Sequence, residues 1–126
     1  MKKLILAYNF SGDRLSGVKR SAVAVKAAVK AVEPESFGER IGFLAELPGF
    51  ESEAKAPEGG FTEEMLLMSG FDSGDIDMLI KSLRKYGVGR VALKAIVTET
   101  NINWSSIDLY EAIKADHEEM QRRTQG

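Results

Sequence analysis

The strongest constraint on this chain is a pattern that occurs twice. Residues 4–13 read LILAYNFSGD and residues 65–75 read MLLMSGFDSGD, each an apolar run, a Phe, and Ser-Gly-Asp opening an amphipathic stretch. A short apolar run bounded by turn formers suits a buried strand. After the second run, Ile76, Leu79, Ile80, Leu83 and Tyr86 recur at three- and four-residue steps and give a helix one apolar face. Asp72 is placed to cap that helix, with Asp75 three residues on in capping-box fashion. Gly87 supplies the left-handed residue that stops it, and residues 91–97 then read as a mostly buried strand.

The first half is less sharply punctuated. Leu15, Val18, Ala22, Val25, Val29 and Val32 continue a helical face without a break. By analogy with the second half, the helix is expected to end near Lys26 and a strand to cover Ala27–Val32, although no glycine marks the break. Pro34 then ends the element. Two strand–helix–strand halves result, at about 3–33 and 63–97, joined by a connector over 34–62. Within the connector, Ser36–Leu47 is expected to form a short helix with Phe37, Ile41, Leu44 and Leu47 on one face. The polar run ESEAKAPEGG is expected to be a mobile loop. A last helix, about 105–122, opens with Ser105 as N-cap, Asp108 three residues later, and Trp104 and Leu109 as a hydrophobic staple. The tail after Arg122 should fray.

These elements make one α+β domain spanning residues 1–126. The duplication favours a ferredoxin-like α/β sandwich of two βαβ halves plus a C-terminal helix. There the first and third strands are expected to lie parallel in the centre, with the others antiparallel outside. The alternative is a four-stranded doubly wound parallel sheet, with the connector helix crossing one face. The choice has a functional consequence. In the parallel sheet, Asn9, Ser69 and residues 98–103 gather at one edge, whereas in the sandwich Asn9 and Asn101 part to opposite edges.

Composition narrows the function classes. The 126 residues carry a net charge of −2, and the basic residues are scattered rather than gathered into a stripe. Nucleic-acid binding is therefore disfavoured. The apolar run after Lys2-Lys3 is too short for a signal peptide and lacks a cleavage site. Nowhere do 18 apolar residues run together, so no membrane span is expected. The chain has no cysteine, which excludes disulfides and thiolate chemistry and fits a cytoplasmic setting.

The run VALKAIVTETNINWSSIDLYEAIKADHEEM, residues 91–120, resembles the C-terminal signature of DUF3783, a family of uncharacterised bacterial proteins. Its specific part is the Leu-Lys-Ala strand followed by Thr-x-Thr-Asn-x-Asn-Trp. The segments LILAYNF, KAVEPESFGERIGFLAELPGF and EEMLLMSGF resemble the family pattern too. Glu99 stands where the family is expected to carry Pro, a departure that touches turn rigidity. The resemblance implies no activity.

The densest polar constellation is Thr98, Thr100, Asn101 and Asn103, with Trp104 as an apolar wall and Lys94 as a nearby charge. With Asn9, these are the candidate ligand-binding residues. The same Thr and Asn side chains are also common turn and helix caps. The two Ser-Gly-Asp segments lack phosphate-loop spacing, and their own carboxylates would repel an anion. They are expected to be caps. His117, the single histidine, has no HExxH spacing and reads as a helix-edge residue. No serine sits in GxSxG, and the adjacent Glu63 and Glu64 nominate no acid–base pair. Met65, Met68, Met78 and Met120 read as core filler. No catalytic, metal or cofactor residue is nominated.

The leading expectation is a non-enzymatic binding or regulatory module for a protein partner or a small metabolite. One rival is a small cofactor-independent enzyme using Lys94, Asn101 and Asn103 around a carboxylate or amide substrate. Another is a structural subunit of a homo-oligomer.

Overall fold

The computed structural model of the protein describes residues 2–53 and 56–125. In chain order the elements are β1 (Leu4–Tyr8), α1 (Gly12–Val23), β2 (Ala28–Val32), α2 (Ile41–Leu44), β3 (Met65–Ser69), α3 (Ser73–Lys85), β4 (Leu93–Ile96) and α4 (Ser106–Gln125). Short 3₁₀ turns cover Pro34–Ser36 and Asn101–Asn103. The strands form one mixed sheet in the order β2-β1-β3-β4.

Each half is a βαβ unit whose strands are neighbours: β1 pairs parallel with β2, and β3 pairs parallel with β4. The units meet back to back through the antiparallel pair β1–β3, in a register centred on Leu6 opposite Leu67. The α+β class, the two halves and the C-terminal helix are those expected from sequence. The first and third strands do occupy the centre, but antiparallel to each other, and the parallel pairs lie outside. That central pair also excludes the all-parallel sheet.

All ten residues of β1 and β3 are buried, as expected for strands covered on both faces. Alternation sends Ile5, Ala7, Leu66 and Met68 to one face, where Val18 and Ala22 of α1 and Leu79 and Leu83 of α3 pack on them. Gly17 lets α1 pass close to the end of α3: a Cβ there would meet Val88 Cγ2 at 2.5 Å. Leu4, Leu6, Tyr8, Met65 and Leu67 face the opposite layer, furnished by Phe37, Ile41 and Leu44 of the connector and by Leu109 and Tyr110 of α4.

Matching positions of the two halves do matching work. Asn9 (φ 64°) and Gly70 (φ 79°) both turn the chain after the first strand. Ser11 and Asp72 are the N-caps, and only Asp72 makes the full capping box with Asp75. The Ser-Gly-Asp segments are therefore not equivalent. The first straddles the cap, with no side-chain cap bond from Ser11, and the second lies inside α3.

The helix stops also match. Val88 N–H donates to Leu83 O at 2.9 Å and Gly87 N–H to Arg84 O at 3.3 Å, with Gly87 at φ 82°. In the first half Ala27 N–H donates to Ala22 O at 3.0 Å and Lys26 N–H to Val23 O at 3.1 Å, with Lys26 at φ 58°. Both are Schellman stops. The break expected near Lys26 is present, and a lysine holds the conformation that glycine adopts more readily.

The connector departs from expectation. Phe37, Ile41 and Leu44 are buried as a helical face would place them, yet α2 is a single turn. Arg40 bridges Ser105 as an isolated antiparallel pair, and Ile41 N–H donates to Trp104 O at 2.9 Å. Pairing with residues just before α4 thus overrides local helix formation, and Glu46, at φ 61°, ends the turn. Of the polar run 51–60, Ala54 and Lys55 lie outside the described residues. In the tail, helix α4 runs past Arg122 to Gln125, and Gly126 lies outside the described residues. Met65 and Met68 are core residues as expected, but Met78 and Met120 are 49% and 67% exposed.

Replacing Lys26 with Gly should raise stability by about 0.5–1 kcal/mol, because it relieves a left-handed β-carbon at the cost of extra unfolded-state freedom. Urea unfolding measures this. A loss of stability would show that Lys26 is held by something other than the stop.

Candidate functional site

The stretch between β4 and α4 is built by local hydrogen bonding. Asn101 is buried, and its side-chain carbonyl accepts from Thr98 N–H at 2.8 Å. Its amide donates to Ile96 O at 3.0 Å, and its own backbone N–H donates to Thr98 Oγ1 at 3.1 Å. One asparagine therefore closes the turn that leaves β4. Trp104 N–H donates to Asn101 O at 3.0 Å. Ser105 then caps α4, its hydroxyl accepting from Asp108 N–H at 3.1 Å.

These elements enclose an open groove of about 470 Å³ between the outer edge of β4 and helix α4. Of the seven residues singled out by sequence, Lys94, Thr98, Thr100, Asn101 and Trp104 line it. Helix α4 adds Leu109, Ile113, Asp116, His117 and Met120, a side missed by sequence reasoning, which reads Met120 as core filler. Trp104 is 38% exposed and Met120 is 67% exposed. His117 and Ala92 also line a second cavity, of about 420 Å³, that continues along α4 past Arg90, Glu63 and Lys114. The two cavities adjoin along a channel-like surface beside β4, sharing Ala92 and His117, and His117 is the helix-edge residue expected.

Two of the seven lie elsewhere. Asn103 lines a separate polar cavity with Arg40, Glu53 and Asp108. Asn9 follows β1, and the antiparallel β1–β3 pair puts it at the sheet end opposite Asn101. Its amide donates to Phe61 O at 3.1 Å and Glu63 O at 2.9 Å, so it holds the connector rather than the groove.

The electrostatics of the channel come from two sets of groups. Lys94 donates to Val91 O, and burial, reinforced by the charge of Arg90, holds its ammonium below the ordinary lysine range. Neither Lys94 nor Arg90 forms an ion pair among the described residues. Farther along, Tyr110 donates to Glu63, and Lys114 donates to the Tyr110 hydroxyl at 3.1 Å and pairs with Glu63 at 3.1 Å. The Tyr110 bond, followed by lesser contributions from Lys114, keeps the Glu63 carboxyl below its usual value. Tyr110, and after it Glu63, in turn raise Lys114.

The model of the family described as Domain of unknown function (DUF3783) matches residues 64–120. The match covers a little under half of the chain, which over that stretch is similar to DUF3783. The DUF3783 segment contains β3, α3, β4 and α4 as far as Met120, and with them the whole groove. The upstream segments that resemble the family in sequence, LILAYNF and the connector run, lie outside the match. No curated protein and no solved structure matches the chain. Among the described residues no helix is long and apolar enough to cross a membrane, and no cluster of His, Asp and Glu is arranged to hold a metal ion.

Asn101→Ala should destabilise the fold by about 1–3 kcal/mol, since it strands the Thr98 N–H and the Ile96 carbonyl. Asn101→Asp, which keeps the acceptor and loses the donor, should fall between. Unfolding midpoints decide this, and an unchanged midpoint for Asn101→Ala would sink the turn-closing role. A second expectation concerns acid. A depressed carboxyl stabilises fully above the unfolded glutamate value of about 4.3, and that contribution is lost as pH falls through the folded value. Tyr110→Phe removes the main cause, so its stability should fall less steeply than wild type below about pH 5. Parallel acid titrations by circular dichroism would show otherwise if the slopes coincide.

Proposed function

We propose that this protein is a non-enzymatic binding module whose recognition site is the groove between β4 and α4. The observation that carries this reading is the clustering of exposed apolar side chains, Trp104 and Met120, over a cleft that also holds Lys94, Asp116 and His117. An exposed apolar cluster rimmed by polar groups marks an interaction surface more often than a bare solvent face. The groups that would have to do chemistry are committed to structure instead. The Asn101 amide and the Thr98 hydroxyl close their own turn, Lys94 is bonded to a backbone carbonyl, and Asn103 opens onto a different cavity. This favours binding over turnover.

The matched stop, cap and turn positions support an origin of the two βαβ units by internal duplication. The α4 layer, which has no counterpart repeated in the other half, then carries the recognition function. A cysteine-free composition suits a reducing cytoplasm, the compartment that this reading assumes.

A thermal-shift screen against metabolites and short peptides tests the site. Trp104→Ala should leave the unliganded protein within about 2 kcal/mol of wild type, because the side chain is half-exposed, while abolishing any ligand-induced rise in Tm. A ligand shift of equal size in the variant would move the site elsewhere. Turnover of any screened compound would replace binding with catalysis.

A further inference from the structure

The channel runs beside the outer edge of β4, and the backbone of that edge is open. Val97 N–H donates to Met68 O, so in this parallel ladder the odd-numbered residues of β4 face β3, and Lys94 and Ile96 direct their backbone groups outward. One outward group is already satisfied: the Asn101 amide donates to Ile96 O from the open side. It occupies the place that a neighbouring strand's N–H would take. The Lys94 N–H, the Lys94 carbonyl and the Ile96 N–H remain as a short row of strand-pairing groups.

Edge lysines ordinarily discourage such pairing. Here the Lys94 ammonium is folded back onto Val91 O, toward the start of the strand and not toward Ile96. Two like charges, Lys94 and Arg90, lie on the strand side with no carboxylate paired to either among the described residues, while Asp116 and Glu118 line the α4 side. Trp104 and Met120 stand over the same groove.

We propose that an extended, acidic peptide segment of a partner protein adds to β4 as a fifth strand. Its backbone pairs with Lys94 and Ile96, its carboxylates meet Lys94 and Arg90, and its alternate apolar side chains pack under Trp104 and Met120. Main-chain bonds along an edge supply affinity, and the flanking groove supplies specificity. A carboxylate beside Lys94 also removes the like-charge disadvantage that Arg90 imposes on it. This rests on the reading of the groove as the recognition site and assigns the chemistry of its occupant.

The test titrates isotope-labelled full-length protein with three capped hexapeptides, followed by NMR. One alternates glutamate and valine, one alternates lysine and valine, and the third is the glutamate peptide with alternate backbone amides methylated. The glutamate peptide should shift the Lys94 and Ile96 amides and the Trp104 indole, and the other two should bind at least about tenfold more weakly. Arg90→Glu, at an exposed position, should reduce the preference for the glutamate peptide, and Lys94→Glu combined with it should reverse that preference. Equal binding of the methylated peptide would overturn strand addition and leave the groove reading intact. The proposal also falls if the glutamate peptide causes no shift at about 5 mM, a range in which even weak association registers, while a screened ligand still depends on Trp104. If nothing depends on Trp104, the groove reading falls with it.

Discussion

The antiparallel pairing of β1 with β3 determines everything else about where groups meet. Two strand–helix–strand units, each internally parallel, are joined through their first strands with Leu6 opposite Leu67. Side chains of period two then direct α1 and α3 to the same face. A one-residue slip of either strand would exchange its two faces, and would take Ile5, Ala7, Leu66 and Met68 away from the side chains of α1 and α3 that they pack against. The joining also sends the C-terminal ends of the two units in opposite directions. The crevice that a doubly wound sheet offers at its carboxyl edge therefore never forms, and Asn9 and Asn101 cannot serve one pocket.

The second layer depends on aromatic stacking more than on regular structure. Phe61 of the connector lies between Phe37, with centroids 4.7 Å apart, and Tyr110, at 4.0 Å and 5° from parallel. Beneath them Tyr8 closes on Phe37 at 5.5 Å, and its hydroxyl shares a hydrogen bond of 2.6 Å with Ser106. Burial raises the Tyr8 phenol far above its ordinary value, so it stays neutral and keeps this bond. The start of α4 is thus fixed to β1 by one buried hydroxyl pair and to the connector by a ring stack. The residues after α2 are long and polar, yet Arg14 grips Glu64, and Glu39 accepts from Ser52 and Glu53. Both flanks of the polar run are tied down.

Local signals made much of this legible. Short apolar runs identified β1 and β3, and Asp72, Asp75 and Gly87 marked the limits of α3. The break at Lys26 was readable only by comparison of the two halves, because a left-handed lysine leaves no mark in composition. Strand direction was not readable at all: nothing in LILAY or MLLMS says which neighbour a buried strand takes, and the direction follows from how the units dock. The collapse of the Ser36–Leu47 helix to one turn had the same cause, a long-range bridge from Arg40 to Ser105. At the site, the polar cluster 98–104 was visible as turn chemistry, and its double use as a groove wall was not. Met120, an apolar residue on α4, is one that sequence alone assigns to the core. Met120 is instead exposed on the rim of the groove.

The paired helices α1 and α3 occupy one side of the sheet, and segments that occur once, the connector and α4, occupy the other. The duplicated elements thereby share one layer, and the proposed recognition groove lies in the other. If α4 carries the recognition groove as proposed, substitutions along its outer rim would retune selection without disturbing the antiparallel seam that holds the halves together. A scaffold divided in this way can diversify in specificity while its architecture stays fixed.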